Sequence, residues 1–177
     1  RGLLTEETWE RNCNLVFSLE CLLAECEVLT TDMATAEVRL SMLAKRARST
    51  HDLALVTRLR LTLYTAADRS DRAVEVFLKF WRGCGADWTS HPTEEEVRRE
   101  YDRIWSLLGN RPIEQLVDLP LLSNPDVHDV LDVFTEIVTP AMFLDAGFLA
   151  LVICRMVSLS LEHGNSDGSC YAYVWLG

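Results

Sequence analysis

The chain has 177 residues, 49% of them hydrophobic and 25% charged, which suits one domain with a sizeable core. Its net charge of −10, from 17 basic and 27 acidic residues, argues against a nucleic-acid partner, because phosphate neutralisation supplies most of that affinity. The longest uncharged apolar run, Ala146 to Cys154, is shorter than the ~20 residues of a membrane span, so no membrane partner is expected either.

Apolar residues recur at helical spacing along nearly the whole chain. Leu15, Leu19, Leu22, Cys26 and Leu29 predict the buried face of a helix over 8–29, and Ala36, Leu40, Leu43, Ala44 and Ala47 that of one over 33–48. These two form a first pair, 8–48. Val56, Leu59, Leu63 and Ala66, then Ala73, Phe77, Phe80, Trp81 and Cys84, predict a second pair over 51–85. Ser70-Asp71 can cap its second helix, and Gly83 and Gly85 can end it.

Thr93 and Glu96 form a capping box that opens a helix over 93–109, with Val97, Tyr101, Ile104, Trp105 and Leu108 on its apolar face and Gly109-Asn110 as its stop. A Pro-bearing connector at 110–122 has room for a short helix. Further helices occupy 124–163: one starts at Asn124-Pro125 and is expected to end or kink at Pro140, and another runs from about Asp145 to His163. Residues 166–177 open a last helix that the sequence leaves unfinished. No segment has strand alternation, so the chain is expected to be all-α.

A shift of 37 lays Leu19, Leu22, Cys26 and Leu29 on Val56, Leu59, Leu63 and Ala66, and Ala36, Leu40, Leu43, Ala44 and Ala47 on Ala73, Phe77, Phe80, Trp81 and Cys84. Two helix pairs at such a period predict an α-solenoid of antiparallel pairs, truncated at the C-terminus, in which each pair leaves an apolar face for its neighbour. Self-association through that cut end is then expected. The N-terminus, Arg-Gly-Leu-Leu followed by acidic residues, does not read as a signal peptide, and without an initiator Met it reads as cut too. Six cysteines with no CxxC pair lie mostly in apolar helical stretches, which points to a reduced, cytoplasmic setting.

The pairs resemble tetratricopeptide repeats, with Ala36 and Ala73 at the small position of the second helix and Leu40 and Phe77 at the large one. They depart from the pattern in period, in having Glu20 and Thr57 where Trp is usual, and in having Arg48 and Gly85 in place of the final Pro. The stretches "LAECEVLTTDMATAE", "LYTAADRSDRAVEVFLKF", "HPTEEEVRREYDRIWSLL", "LVDLPLLSNPD" and "MVSLSLEHGNSDGSCYAYVWLG" resemble the helical region of very large, mostly bacterial signalling proteins. The "DLPLL" and "LSLEHGNSDGSCYAY" portions are the most distinctive. In that family one chain joins a Ser/Thr-kinase-like domain, an AAA/STAND-type ATPase, the helical repeats, a GAF sensor and an output domain, usually a histidine kinase. The resemblance implies a scaffold or sensor arm, with ATP bound in other domains and no catalytic residue in this segment.

The residues themselves offer little chemistry. No GxxxxGK[ST] or GxGxxG loop is present. His51, His91 and His163 each have a structural explanation at a helix end or loop, and His128 with Asp132 offers two ligands, too few for a metal site. No cofactor or metal is therefore expected in this segment. The stretch from Arg39 to Arg72 is basic and that from Glu114 to Asp145 is acidic; two solvated faces explain this, and a basic contact surface is the sharper reading. Arg39, Arg46, Arg58 and Arg60 are its candidate residues, with Trp88 either pinning its loop or marking a contact. The expected function is a non-catalytic scaffold that binds a protein or peptide, chiefly other domains of the same parent chain. A ligand- or peptide-sensing regulatory domain is the alternative, and a small all-α enzyme the third.

Overall fold

The computed structural model describes residues 6–176, and among these the chain is all-helical with no strand. The reading of Arg1 to Leu4 lies outside the described residues. Five helix starts follow capping chemistry, in which a side-chain oxygen takes up a backbone N–H that the first turn leaves free. Asp32 accepts from the Thr35 N–H at the head of α3 (Met33–Arg46), and Ser49 from Asp52 at the head of α4 (Thr50–Ala66). Thr93 and Glu96 make the reciprocal capping box of α6 (Glu94–Leu108). Asn124 caps α7 (Pro125–Leu144), and Asp145 caps α8 (Ala146–His163).

Three boundaries differ from the sequence reading. The first predicted helix is divided at Asn12 into α1 (Glu6–Arg11) and α2 (Cys13–Leu29). Helix α5 (Ser70–Gly83) begins at Ser70 itself, so that residue lies inside the helix instead of capping it. Pro140 does not end α7, which continues to Leu144 with Phe134, Ile137, Val138, Pro140 and Ala141 all buried. The lost N–H of one proline is outweighed by that continuous apolar face. The connector holds a 3-10 helix, Ile113–Asp118, and the chain closes with α9 (Asp167–Leu176).

The period of 37 is visible in the element bounds: Cys13–Leu29 and Met33–Arg46 become Thr50–Ala66 and Ser70–Gly83 when 37 is added to each number. Buried positions repeat as well, with Phe17, Glu20, Ala24, Ala36, Leu40 and Leu43 matching Ala54, Thr57, Leu61, Ala73, Phe77 and Phe80. Packing follows a rule. Helix α4 lies against both α2 and α3, α7 against both α4 and α5, and α9 against both α7 and α8, while α6 packs on α8. At the centre, Phe77 meets Phe134 and Phe148 edge to face, with ring centroids 5.0 and 5.9 Å away.

Among the described residues α8 is long and apolar enough to cross a membrane by length and composition, although half of it is buried inside the fold. Arg155 interrupts its sequence with a charge, which the fold pairs with Glu100 at 2.7 Å. A helix packed against α6, α7 and α9 acquires such a composition from the core it fills.

Candidate interaction surfaces

The five residues singled out in the sequence each have a partner inside the fold. Arg39 joins α3 to α2: its guanidinium donates to Glu20 and to both carboxylate oxygens of Glu27, the latter at 2.6 and 2.9 Å, and its side chain is only 9% exposed. Arg46 stacks its guanidinium 4.4 Å from the Trp9 ring of α1. Arg58 donates to Asp132 at 2.7 Å, joining α4 to α7, and Arg60 lies over Tyr64 of its own helix. Arg39, Arg46 and Arg58 therefore serve three separate junctions, while Arg60 acts within α4.

Trp88 takes the packing role. It meets Trp81 and Phe134 edge on, at 5.6 and 5.9 Å, and the Arg155 guanidinium lies over both Trp81 and Trp88. This pins the 84–93 loop to the core. Burial lowers the pKa of Arg155, with the Glu100 carboxylate opposing that shift. His91 adds a second fastening, its Nδ1 lying 3.0 Å from Asp145 Oδ2 at the start of α8.

The basic and acidic stretches of the sequence meet at two points. Helix α4, from the basic stretch, faces α7, from the acidic one, and Arg58 meets Asp132 while His51 Nδ1 lies 2.9 Å from Asp129 Oδ2. His128 lies 3.7 Å from the same Asp132 along one helix face. Among the described residues no group of three His, Cys, Asp or Glu side chains could hold a metal ion.

The predicted apolar face of the first helix is overturned. Leu15, Leu19, Leu22, Cys26 and Leu29 are exposed, and α2 instead buries Val16, Phe17, Glu20, Cys21, Ala24 and Val28. The reason lies in its neighbours: α2 is covered by α1, α3 and α4, and the opposite stripe meets no described helix. Tyr101 and Trp105 on α6, also expected in the core, are partly exposed, while Ile104 and Leu108 are buried. A cavity of about 270 Å³ lies between α6, the 3-10 helix, α8 and α9, lined by Tyr101, Trp105, Leu116, Val157 and Tyr173 among others. A wider groove of about 540 Å³ adjoins it over the start of α8, bordered by Tyr101, Trp175 and Leu176. Nothing in the spacing of the sequence signals either cavity, because both depend on where α6 lies.

The two most distinctive stretches of the sequence meet in space. Leu121 and Asn165 form an isolated parallel bridge, in which the Asn165 N–H donates to Pro120 and the Leu122 N–H to Asn165, both at 2.8 Å. The Asn165 side chain donates to the Leu116 carbonyl and accepts from the Tyr173 hydroxyl. Gly164, at φ 107°, makes this approach possible: a Cβ there would lie 2.3 Å from the Pro120 carbonyl oxygen. The latch ties the connector to the turn between α8 and α9.

All six cysteines are free thiols. Burial pushes the thiols of Cys21 and Cys154 up to about 11, so neither is poised as a nucleophile at neutral pH. No protein-family model matches this chain, and no curated protein or solved structure does either.

Proposed function

We propose that the chain is a non-catalytic, helical-repeat scaffold: a right-handed α-solenoid of antiparallel, tetratricopeptide-like helix pairs that binds protein or peptide. Its pairs are α2–α3, α4–α5 and α7–α8, with α9 in the position of the first helix of a fourth and α6 laid against α8. The observation that carries this reading is the recurrent packing, in which α4, α7 and α9 each contact both helices of the pair before them. Stacking by nearest neighbours is how such repeats bury faces that no pair can bury alone. In this reading the chain is a cytoplasmic arm of a large signalling protein. It sets the geometry between an ATPase module, where ATP would bind, and sensor and output modules such as a histidine kinase, and it binds no nucleic acid or membrane itself.

A second reading, a ligand-sensing domain that regulates a neighbouring ATPase, is favoured by the aromatic-lined cavity between α6, α8 and α9. Apolar cavities with a few polar groups are the usual form of small-molecule sites.

Two measurements test the scaffold reading. Hydrogen exchange on Leu40→Ala should show lost protection in α2–α5 with α7–α9 largely retained, because repeats couple mainly to their neighbours. Equal loss throughout the chain would reject the solenoid. The domains that flank the chain in its parent polypeptide, expressed separately, should bind it in calorimetry. Affinities for both weaker than about 1 mM, the effective concentration a short tether supplies, would reject the arm.

A further inference from the structure

The cavity between α6, the 3-10 helix, α8 and α9 is walled by packed elements from inside the chain. Most of its lining residues lie between Tyr101 and Leu161, on α6, the connector and α8. Helix α9 adds Tyr173 and Leu176, which are half-buried, whereas its Tyr171, Val174 and Trp175 are exposed. At about 100° per residue these two sets lie on opposite sides of α9, so the cavity is a different place from the open face of that helix.

The lining selects the chemistry of a ligand. None of the described lining residues carries a charge, so an ionic ligand would lose its hydration there with no counter-charge to replace it. Tyr101 and Trp105, 41% and 47% exposed, mark the mouth and stand edge to face with ring centroids 6.0 Å apart, while Ile104 and Leu108 are buried behind them. The volume of about 270 Å³ lies just below the range of pockets for drug-sized ligands, which suits a compact ring compound and not a peptide.

Two of the lining residues also belong to the Asn165 latch. The Asn165 side chain donates to the Leu116 carbonyl at 2.7 Å and accepts from the Tyr173 hydroxyl at 2.9 Å, and both Leu116 and Tyr173 line the cavity. The Asn165 backbone holds Pro120 and Leu122 further along the connector. One side chain thus fixes two cavity walls, the connector and α9, against each other. A ligand packed between those walls favours the latched arrangement, because binding shifts a protein toward the state that binds better.

We propose that this cavity takes a small, neutral, aromatic ring compound, with the connector from Ile113 to Leu122 as its lid and Asn165 as the catch. The proposal rests on the ligand-sensing reading above, for which it names the ligand class and the part that moves.

Indole is the probe and indole-3-carboxylate its anionic counterpart, each titrated by calorimetry. Indole should bind with a Kd below about 1 mM, and the carboxylate at least about tenfold more weakly. Saturating indole should slow hydrogen exchange at the Leu122 N–H about tenfold. Asn165→Ala should weaken indole binding by about the same factor, with helicity unchanged in circular dichroism. Leu116→Trp, which fills the space from one wall, should abolish binding, and Ile113→Trp replaces it should that variant fail to fold. A longer stretch of the parent polypeptide should bind indole equally well. No binding below about 1 mM, or equal binding of the carboxylate, would overturn the proposal. So would binding that survives the filling variant, and so would loss of binding in the longer stretch, which would give the cavity to the chain's own continuation. Binding that leaves Leu122 exchange unchanged and is indifferent to Asn165→Ala would overturn the lid. If every expected result is obtained but saturating indole leaves ATP hydrolysis by the parent protein unaltered, the site stands and the ligand-sensing reading alone fails.

Discussion

Arg58 of α4 and Asp132 of α7 are 74 positions apart in the chain and 2.7 Å apart in the fold. Together with His51 and Asp129 they bring the basic stretch of the sequence onto its acidic stretch. Both partners of the Arg58 pair are about one-third exposed, so solvent screens them. Arg58→Glu should lower stability, and Asp132→Arg on that background should recover part of the loss. A double-mutant cycle in urea should give a coupling of about 0.5 kcal/mol, smaller in high salt. No coupling would mean that the pair does not help to align α4 with α7.

The Arg39 triad is a different case, because it is nearly closed to water. Arg39→Ala would leave the Glu20 carboxylate, itself 9% exposed, without its guanidinium, at a cost of about 3–5 kcal/mol. Glu20→Gln and Glu27→Gln together with Arg39→Met remove all three charges and should cost much less. Denaturant unfolding separates the two outcomes, and equal losses would show that packing, not the stranded charge, sets the penalty.

These pairs show what the sequence could and could not display. Helix positions were legible because caps are local: Thr93 with Glu96, Asn124 before Pro125 and the glycines 109 and 164 act within a turn of the residues that reveal them. The period of 37 was legible because it needs only one chain compared with itself. The inward face of α2 was not. Leu15, Leu19 and Leu22 have the strongest apolar signal, but burial is decided by which neighbour is present, and the fold sets Phe17, Glu20 and Ala24 inward instead. The partners of the candidate arginines were hidden for a related reason. A sequence displays charge but not the partner 74 positions away that neutralises it.

Thiol chemistry should rank the cysteines by environment. With a pKa of about 11, Cys21 and Cys154 hold roughly one thiolate in ten thousand at pH 7, and both are buried. Iodoacetamide should label the exposed Cys26 and Cys170 first and reach Cys21 and Cys154 only as the chain unfolds. Peptide mass spectrometry over a time course reads the order. Early labelling of Cys154 would mean that α8 opens readily.

Gly164 should tolerate no side chain. Its φ of 107° is strained for any other residue, and a Cβ would press on the Pro120 backbone, which the Asn165 bridge holds in place. Gly164→Ala should cost about 1–3 kcal/mol or more and release the connector, raising hydrogen exchange at Leu122. Gly83, where an added Cβ meets nothing and φ is ordinary, is the control, and its change to Ala should be close to neutral or stabilising.

Acid should weaken the opposite end of α8 through Asp145. The His91 hydrogen bond, then the Phe148 N–H, hold its carboxyl below the usual carboxylate range. A pKa lower in the folded than in the unfolded chain means that the stabilisation is complete above the unfolded value, about 4, and is lost as pH falls through the folded one. Asp145→Asn keeps a capping oxygen but cannot titrate, so it should flatten that part of the acid limb in a plot of stability against pH. His91→Gln, which removes the partner but leaves the cap, should move the loss to higher pH, because the folded carboxyl then titrates closer to its ordinary value. An acid limb unchanged in both variants would assign the loss to other lowered carboxyls, such as Glu96 in the capping box of α6.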